Sequence, residues 1–228
     1  MDGDGRLRFA RALVEDVIAR TRRKFTLHGI DLAHDIEIGR RRVHTGTGGA
    51  APTIMDFETG RYRESIVTDL YDIARLLDRL ASIHWHHHSI VARNAKRILD
   101  LDTNTTYGCL SGTTKSIAVS YYQQCLVRAA QSMLDAVARG EVRHRERPYC
   151  TAVCCDVVPP MRFAAESCGA LEAAVLAGMP ILLLSAGKAG ATAPAGLAGV
   201  LAQNSAEVMA GLILCHTIDP DCRGIFAA

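Results

Sequence analysis

The sequence predicts an α/β fold: a partial (β/α)8 TIM barrel of about four to five βα units, preceded by an N-terminal helix and a small antiparallel β region. Three observations predict it. Short apolar runs beginning near Ile83, Ile117, Cys150, Ile181 and Ile225 alternate with amphipathic segments of helical length. Successive runs start about 30–45 residues apart, which leaves room for a strand, a crossover helix and two loops. Unbroken apolar runs such as Ile181-Leu182-Leu183-Leu184 suit a parallel sheet covered on both faces. Residues 1–80 are read as the lead-in and residues 81–228 as the barrel portion.

Taken in order, residues 7–24 place Leu7, Ala10, Val14, Val17 and Ile18 near one helical face, with Arg and Glu opposite. Over residues 25–62 the pattern changes. Ile36, Ile38 and Val43 alternate around Gly39, and an apolar run ending at Phe57 meets a Thr59-Gly60 turn, as short antiparallel strands require. Ser65 or Thr68 is the expected cap of the next helix, where Leu70, Ile73, Ala74, Leu77 and Leu80 recur at three and four residues. Crossover helices are expected over residues 95–109, 124–139, 162–177 and 194–217. Gly224-Ile225-Phe226-Ala227-Ala228 reads as the opening of a fifth strand. A closed barrel with such a lead-in takes about 360 residues or more, so this chain is expected to be about half of one, truncated at its C-terminus. The same ladder also fits a self-contained doubly wound ligand-binding sheet, which would reverse its strand order at a switch point.

Composition narrows the function. Hydrophobic residues make up 49% of 228, enough for a packed core. With 26 basic and 24 acidic residues the net charge is +2, so no overall field recruits nucleic acid or an anionic membrane. Arg6, Arg8, Arg11, Glu15 and Asp16 interrupt the region where a signal peptide would be apolar. The most apolar helical stretch contains Gln203, Asn204, Ser205 and Glu207, which are costly in lipid. Eight cysteines sit mostly inside apolar runs rather than in a loop-rich framework, so reduced thiols and a cytoplasmic location are expected. Strands that are interior in a closed barrel become edges in half of one, and the isolated chain is expected to be a homo-oligomer.

The motifs are read against plainer alternatives. Gly46-Thr47-Gly48-Gly49-Ala50-Ala51 superficially matches a dinucleotide fingerprint, but Pro52 follows where a helix N-terminus should receive phosphates, so a flexible turn is expected. His84, His86 and His88 alternate onto one strand face, yet no carboxylate or Cys pair at ligand spacing accompanies them, and no metal site is expected. Loops at the carboxyl ends of barrel strands build active sites. Those positions hold Ser120, Tyr121 and Tyr122, then Asp156 and Pro159-Pro160, then Ser185, Gly187, Gly190 and Thr192. Tyr121, Tyr122, Asp156, Ser185 and Thr192 are the candidate substrate-binding residues. Tyr121, Tyr122, Trp85 and Phe226 are read either as parts of a cage for a quaternary ammonium group or as core filling. No residue is assigned a catalytic acid, base or nucleophile role.

These residues resemble one family. Val43 through Thr53, continuing by Asp56 to Thr59-Gly60-Arg61, is similar to the N-terminal signature of the trimethylamine methyltransferase family. Thr68-Asp69-Leu70, Ala74-Arg75-Leu76 and Asp78 continue the likeness. So do Val158-Pro159-Pro160-Met161-Arg162-Phe163, Ser185-Ala186-Gly187, Gly190-Ala191-Thr192-Ala193-Pro194 and Leu197-Ala198-Gly199, where the family has its third and fourth βα loops. Ser116 departs from the family's usual Pro before the second strand. The resemblance implies an eight-stranded barrel that demethylates a methylamine or a betaine-like quaternary amine. It implies that the methyl group passes to the cobalt of a corrinoid (cobalamin-type) on a separate corrinoid protein, which docks at the barrel mouth. Some members carry pyrrolysine in the second half of the barrel, beyond the residues of this chain.

Overall fold

A computed structural model describes residues 5–39 and 41–227; residues 1–4, Arg40 and Ala228 lie outside them. Helix α1 (Arg11–Arg20) is shorter at both ends than its apolar pattern, and Val17 is its one buried residue. The pairs Arg11–Glu15 at 2.7 Å and Arg20–Asp16 at 2.9 Å lie along its exposed side. β1 (Phe25–Leu27) and β2 (Ile36–Ile38) then pair antiparallel, with buried Leu27 opposite buried Ile36. β3 (Thr53–Met55) and β4 (Tyr62–Glu64) form a second antiparallel pair around Gly60, whose φ of +65° suits a glycine.

The start of α2 (Val67–Arg79) corrects the expected cap. Ser65 instead donates to the Val91 carbonyl at 2.7 Å. The capping group is Asp69, whose carboxylate accepts the Ile66 N–H at 2.9 Å. Arg63 grips the same carboxylate with two bonds of 2.7 Å. The Arg63 fork is the main reason its pKa is lowered.

From here the elements follow the predicted ladder: β5 (Trp85–His87), α3 (Ile98–Gly112), β6 (Ser116–Ser120), α4 (Gln124–Ala138), a short α5 (Glu141–Glu146) and β7 (Cys150–Cys154). Next come a hairpin of β8 (Val157–Val158) and β9 (Arg162–Phe163), then α6 (Ala165–Leu176), β10 (Ile181–Leu184), α7 (Leu197–Ile218) and β11 (Gly224–Ala227). Sequence reading did not resolve α5 or the hairpin, whose strands span two residues each. The main sheet is parallel with order β5-β6-β7-β10-β11, so each strand lies beside its predecessor in the ladder. Among the described residues there is no switch point.

The two faces of the sheet differ. Ile117, Val119, Cys150, Ala152, Cys154, Ile181 and Leu183 point into the main core with Leu126, Val127 and Leu134 of α4, Leu171 of α6 and Leu212 of α7. Fully burying each large aliphatic residue contributes about 1.5–3 kcal/mol. The opposite face carries Ala118, Val153 and Leu182, flanked by Trp85, Leu184 and Ile225. The helices therefore layer the first face, whereas a doubly wound sheet carries them on both.

The glycine run is also corrected. It is not a free turn: residues 45–51 lie parallel beside β5, bridging Gly46 to Trp85 and Ala51 to Ile90. The Ala50 N–H donates to His88 O at 3.1 Å, and the Ala51 N–H to Ser89 O at 2.9 Å. A side chain on Gly46 would overlap the Trp85 indole, and one on Gly49 would come within 2.6 Å of the His87 ring. Gly46 and Gly49 permit a close backbone approach.

Candidate active site at the carboxyl ends of the strands

Where β6, β7 and β10 end, a pocket of 230 Å³ opens between Ser120, Tyr121, Tyr122, Val153, Cys154, Cys155, Ser167 and Leu184. Register places it there: Ser120 pairs with Val153, and Leu183 with Cys154. The lining side chains are hydroxyl, thiol, phenol and aliphatic, with no carboxylate, lysine or arginine among them. Charge lies just behind the wall. Burial pushes the Cys155 thiol up, and Asp156 and Glu207 push it further in the same direction. Their negative potential therefore reaches the pocket.

The two tyrosines have different roles. Tyr122 is 55% exposed, and its backbone N–H donates to Asp102 Oδ2 at 3.0 Å. Asp102 is buried on α3, and loss of solvent raises its pKa to about 6 despite that bond. Tyr121 borders the pocket but belongs to the helix-side core, with its hydroxyl 3.4 Å from Thr106 Oγ1 and 3.6 Å from Cys150 Sγ. The four aromatics read either as parts of a cage or as core filling are spread across the sheet. Trp85 starts β5 at the far end of the sheet and stacks on His87, and Phe226 shares the register position of Leu183, on the helix-facing side.

The remaining candidates lie behind the pocket. Asp156 is 2% exposed and faces Gly211 of α7, where an added methyl would come within 2.8 Å of both carboxyl oxygens. Its Oδ2 has no hydrogen-bond partner among the described residues, and burial raises its pKa to about 6. Ser185 is buried and donates to Glu207 Oε2 at 2.5 Å; Asn204 Oδ1 lies 3.1 Å from the same hydroxyl. One hydroxyl carries one proton, which the two oxygens share, and the shorter contact is to the carboxylate. Glu207 also accepts the Met161 N–H at 2.8 Å and Gln203 Nε2 at 3.0 Å. Thr192 Oγ1 accepts the Lys188 N–H at 3.0 Å, and its carbonyl accepts Gln203 Nε2 at 2.8 Å. One buried carboxylate thus ties the hairpin after β7 to the loop after β10.

His86, His87 and His88 are buried as well, whereas His84 is only partly covered. His86 and His88 are both held near 4, by desolvation first and by neighbouring histidines second. Among the described residues no group of three or more His, Cys, Asp or Glu side chains could hold a metal. None of the eight cysteines forms a disulfide. Helix α7 is long and apolar enough to cross a membrane by length and composition alone, but it packs on α6, β10 and β11 and buries Asn204 and Glu207.

Against known proteins, the family description trimethylamine methyltransferase (MTTB) matches residues 1–228. The chain belongs to this family. Among curated members, the trimethylamine methyltransferase MttB of Desulfitobacterium hafniense is 26% identical over 204 residues, covering 89% of this chain and 40% of that protein. The glycine betaine methyltransferase of another strain of that species is 25% identical over 225 residues, covering 98% and 46%. A trimethylamine methyltransferase of Methanosarcina mazei is 25% identical over 212 residues, covering 88% and 41%. The chain therefore spans less than half the length of these relatives. In this trimethylamine methyltransferase family chain the motif residues are largely scaffold: the glycine run pads β5, Asp69 caps α2, and the Pro-Pro hairpin is pinned by Glu207. Glu207, Asn204 and Asp102 stand out only in the fold, which shows which polar residues of α3 and α7 face inward.

Proposed function

We propose that the chain supplies the first half of a (β/α)8 barrel that transfers a methyl group from trimethylamine or a betaine-like quaternary amine to the corrinoid of a separate corrinoid protein. Residues 1–80 are the lead-in, residues 81–228 line one side of the mouth where that partner docks, and the chemistry belongs in the cytoplasm with its free thiols. The carrying observation is the neutral pocket at the strand ends with Asp156 and Glu207 behind its wall. At 230 Å³ it suits a small amine and is far too small for a corrin ring. A reduced corrinoid supplies the nucleophile that accepts the methyl group.

This chain's residues position a cation and exclude water. Tyr122 offers an exposed ring face to the ammonium group. Asp156 and Glu207 favour positive charge from behind, and Tyr121, Ser185 and Thr192 hold the three loops in place. A quaternary substrate carries no proton to remove, so no general base is required. The protonated Cys155 and Cys154 thiols, raised by burial, do not compete as nucleophiles.

The test joins this chain to the C-terminal portion of the Desulfitobacterium hafniense trimethylamine methyltransferase and follows corrinoid methylation by absorbance. Tyr122→Leu should weaken substrate affinity by about 0.5–2 kcal/mol, the range of a cation–π contact. Tyr121→Phe should leave affinity unchanged. Equal affinity in the Tyr122 variant of an active chimera removes that ring from the site. An inactive, correctly folded chimera with every candidate amine removes the proposed reaction.

A further inference from the structure

The pairing of β6 with β7 ends at Ser120 and Val153, yet the chain keeps the alternation of the strand for two more residues. Ile117, Val119 and Tyr121 belong to the helix-side core, whereas Ala118 lies on the other face. The period of two carries Ser120 and Tyr122 to that second face, and both line the pocket. Helix α3 is what holds this course. Asp102 and Thr106, four residues apart on one side of the helix, meet the two tyrosines in turn. Thr106 Oγ1 donates to the Asp102 carbonyl at 2.9 Å and lies 3.4 Å from the Tyr121 hydroxyl, and Asp102 Oδ2 accepts the Tyr122 N–H at 3.0 Å. The carboxylate supplies the acceptor that a neighbouring strand supplies elsewhere along β6. Burial opposes its charge, and the Tyr122 bond is what favours it. Among the described residues no other ring and no guanidinium stacks on Tyr122, so its ring face is free.

We propose that Asp102 is a positioning residue for a quaternary ammonium ion: by holding the Tyr122 N–H it fixes the ring face, so that this chain's side of the mouth binds such an ion without the rest of the barrel. The inference rests on the reading of this pocket as the amine site. Asp102 does not touch the ion. At 2% exposure its carboxylate stays behind the loop and acts through the Tyr122 backbone. The pocket lining carries no lysine or arginine to repel a cation, and 230 Å³ admits an ion of the size of tetramethylammonium.

The test titrates the 228-residue chain with tetramethylammonium chloride at pH 8, where the carboxylate is ionised, and reads binding from the ligand's own NMR signal at constant ionic strength. Saturable binding is expected, weakened about fivefold or more by Tyr122→Leu and by Asp102→Ala. Asp102→Asn keeps an oxygen for the Tyr122 N–H and should bind within about twofold of the unmodified chain. Where Tyr122→Leu is already present, Asp102→Ala should cost less than about twofold more, because the two act as one unit. Asp100→Asn removes the same charge two residues away, where it pairs with Arg97, and should change nothing. Absence of saturable binding by the chain overturns the proposal. So does a loss in Asp102→Asn equal to that in Asp102→Ala, which would assign the effect to charge, a full further loss in the Tyr122→Leu background, or an equal loss in Asp100→Asn. An inactive chimera with ammonium binding intact rejects the methyl transfer and leaves the role of Asp102 standing; an active chimera with no effect at Asp102 does the reverse.

Discussion

Asp156 shows how far a single side chain can be from the role its loop position implies. The sequence places it after a strand, where barrel enzymes keep their functional groups, and nothing in the sequence reveals that it turns toward Gly211 rather than into the pocket. Its carboxyl ionises near 3.8 unfolded and about 6 folded, because burial removes water and the Oδ2 atom gains no partner. Between those values the folded chain holds a proton that the unfolded chain has lost, so stability falls as pH rises through the window. Above it the full penalty stands, about 3 kcal/mol for two units. Asp156→Asn should therefore stabilise the chain by about 1–3 kcal/mol at pH 8 and hardly at all at pH 4. Urea denaturation at both values measures this, and a variant no more stable than wild type at pH 8 rejects it.

At the scale of elements, Lys115 at the foot of β6 carries a similar lesson. It is buried, and its ammonium donates to Leu77 O at 2.7 Å, Leu80 O at 2.8 Å and Ile83 O at 2.6 Å, closing the end of α2 and the turn into β5. Lys115→Met keeps the stem and leaves these carbonyls without their charged donor, and a loss of about 2–4 kcal/mol in urea unfolding is expected. A loss within about 0.5 kcal/mol, typical of a surface lysine, would show that water replaces it. In sequence Lys115 is a lysine after Thr113-Thr114, indistinguishable from a solvated turn, because its partners lie more than thirty residues upstream. The βα ladder was legible because each unit is local: the apolar run at Ile181 and the amphipathic α4 declare themselves within their own windows. The hairpin after β7 was illegible because its register is set by Glu207 on α7, through the Met161 N–H. The parallel course of residues 45–51 beside β5 was illegible for the same reason, since Trp85 and His87 determine which glycines must lack a side chain.

At the scale of the molecule, β11 is the last strand of the sheet and pairs only with β10 among the described residues. Its Phe226 is 45% exposed, and Ile225 is only partly covered on the other face. An edge strand flanked by apolar side chains templates further pairing. The curated relatives run to more than twice this length, since the chain covers 40% of one and 46% of another. In a full barrel like the one proposed, a further strand pairs with the strand at the position of β11, and half the residues of the mouth come with the remaining units. The isolated chain should therefore self-associate at micromolar concentration and should not methylate a corrinoid from trimethylamine or a betaine. Losing even one well-placed positioning group costs about a hundredfold, and here half the ring is lost. Supplying the C-terminal portion of a relative as a separate polypeptide should convert the assembly into a defined one-to-one complex with measurable transfer. Light scattering reads the first outcome and corrinoid absorbance the second. A monodisperse, cooperatively unfolding monomer would contradict the open edge, and methyl transfer by the chain alone would show that this half of the mouth is sufficient.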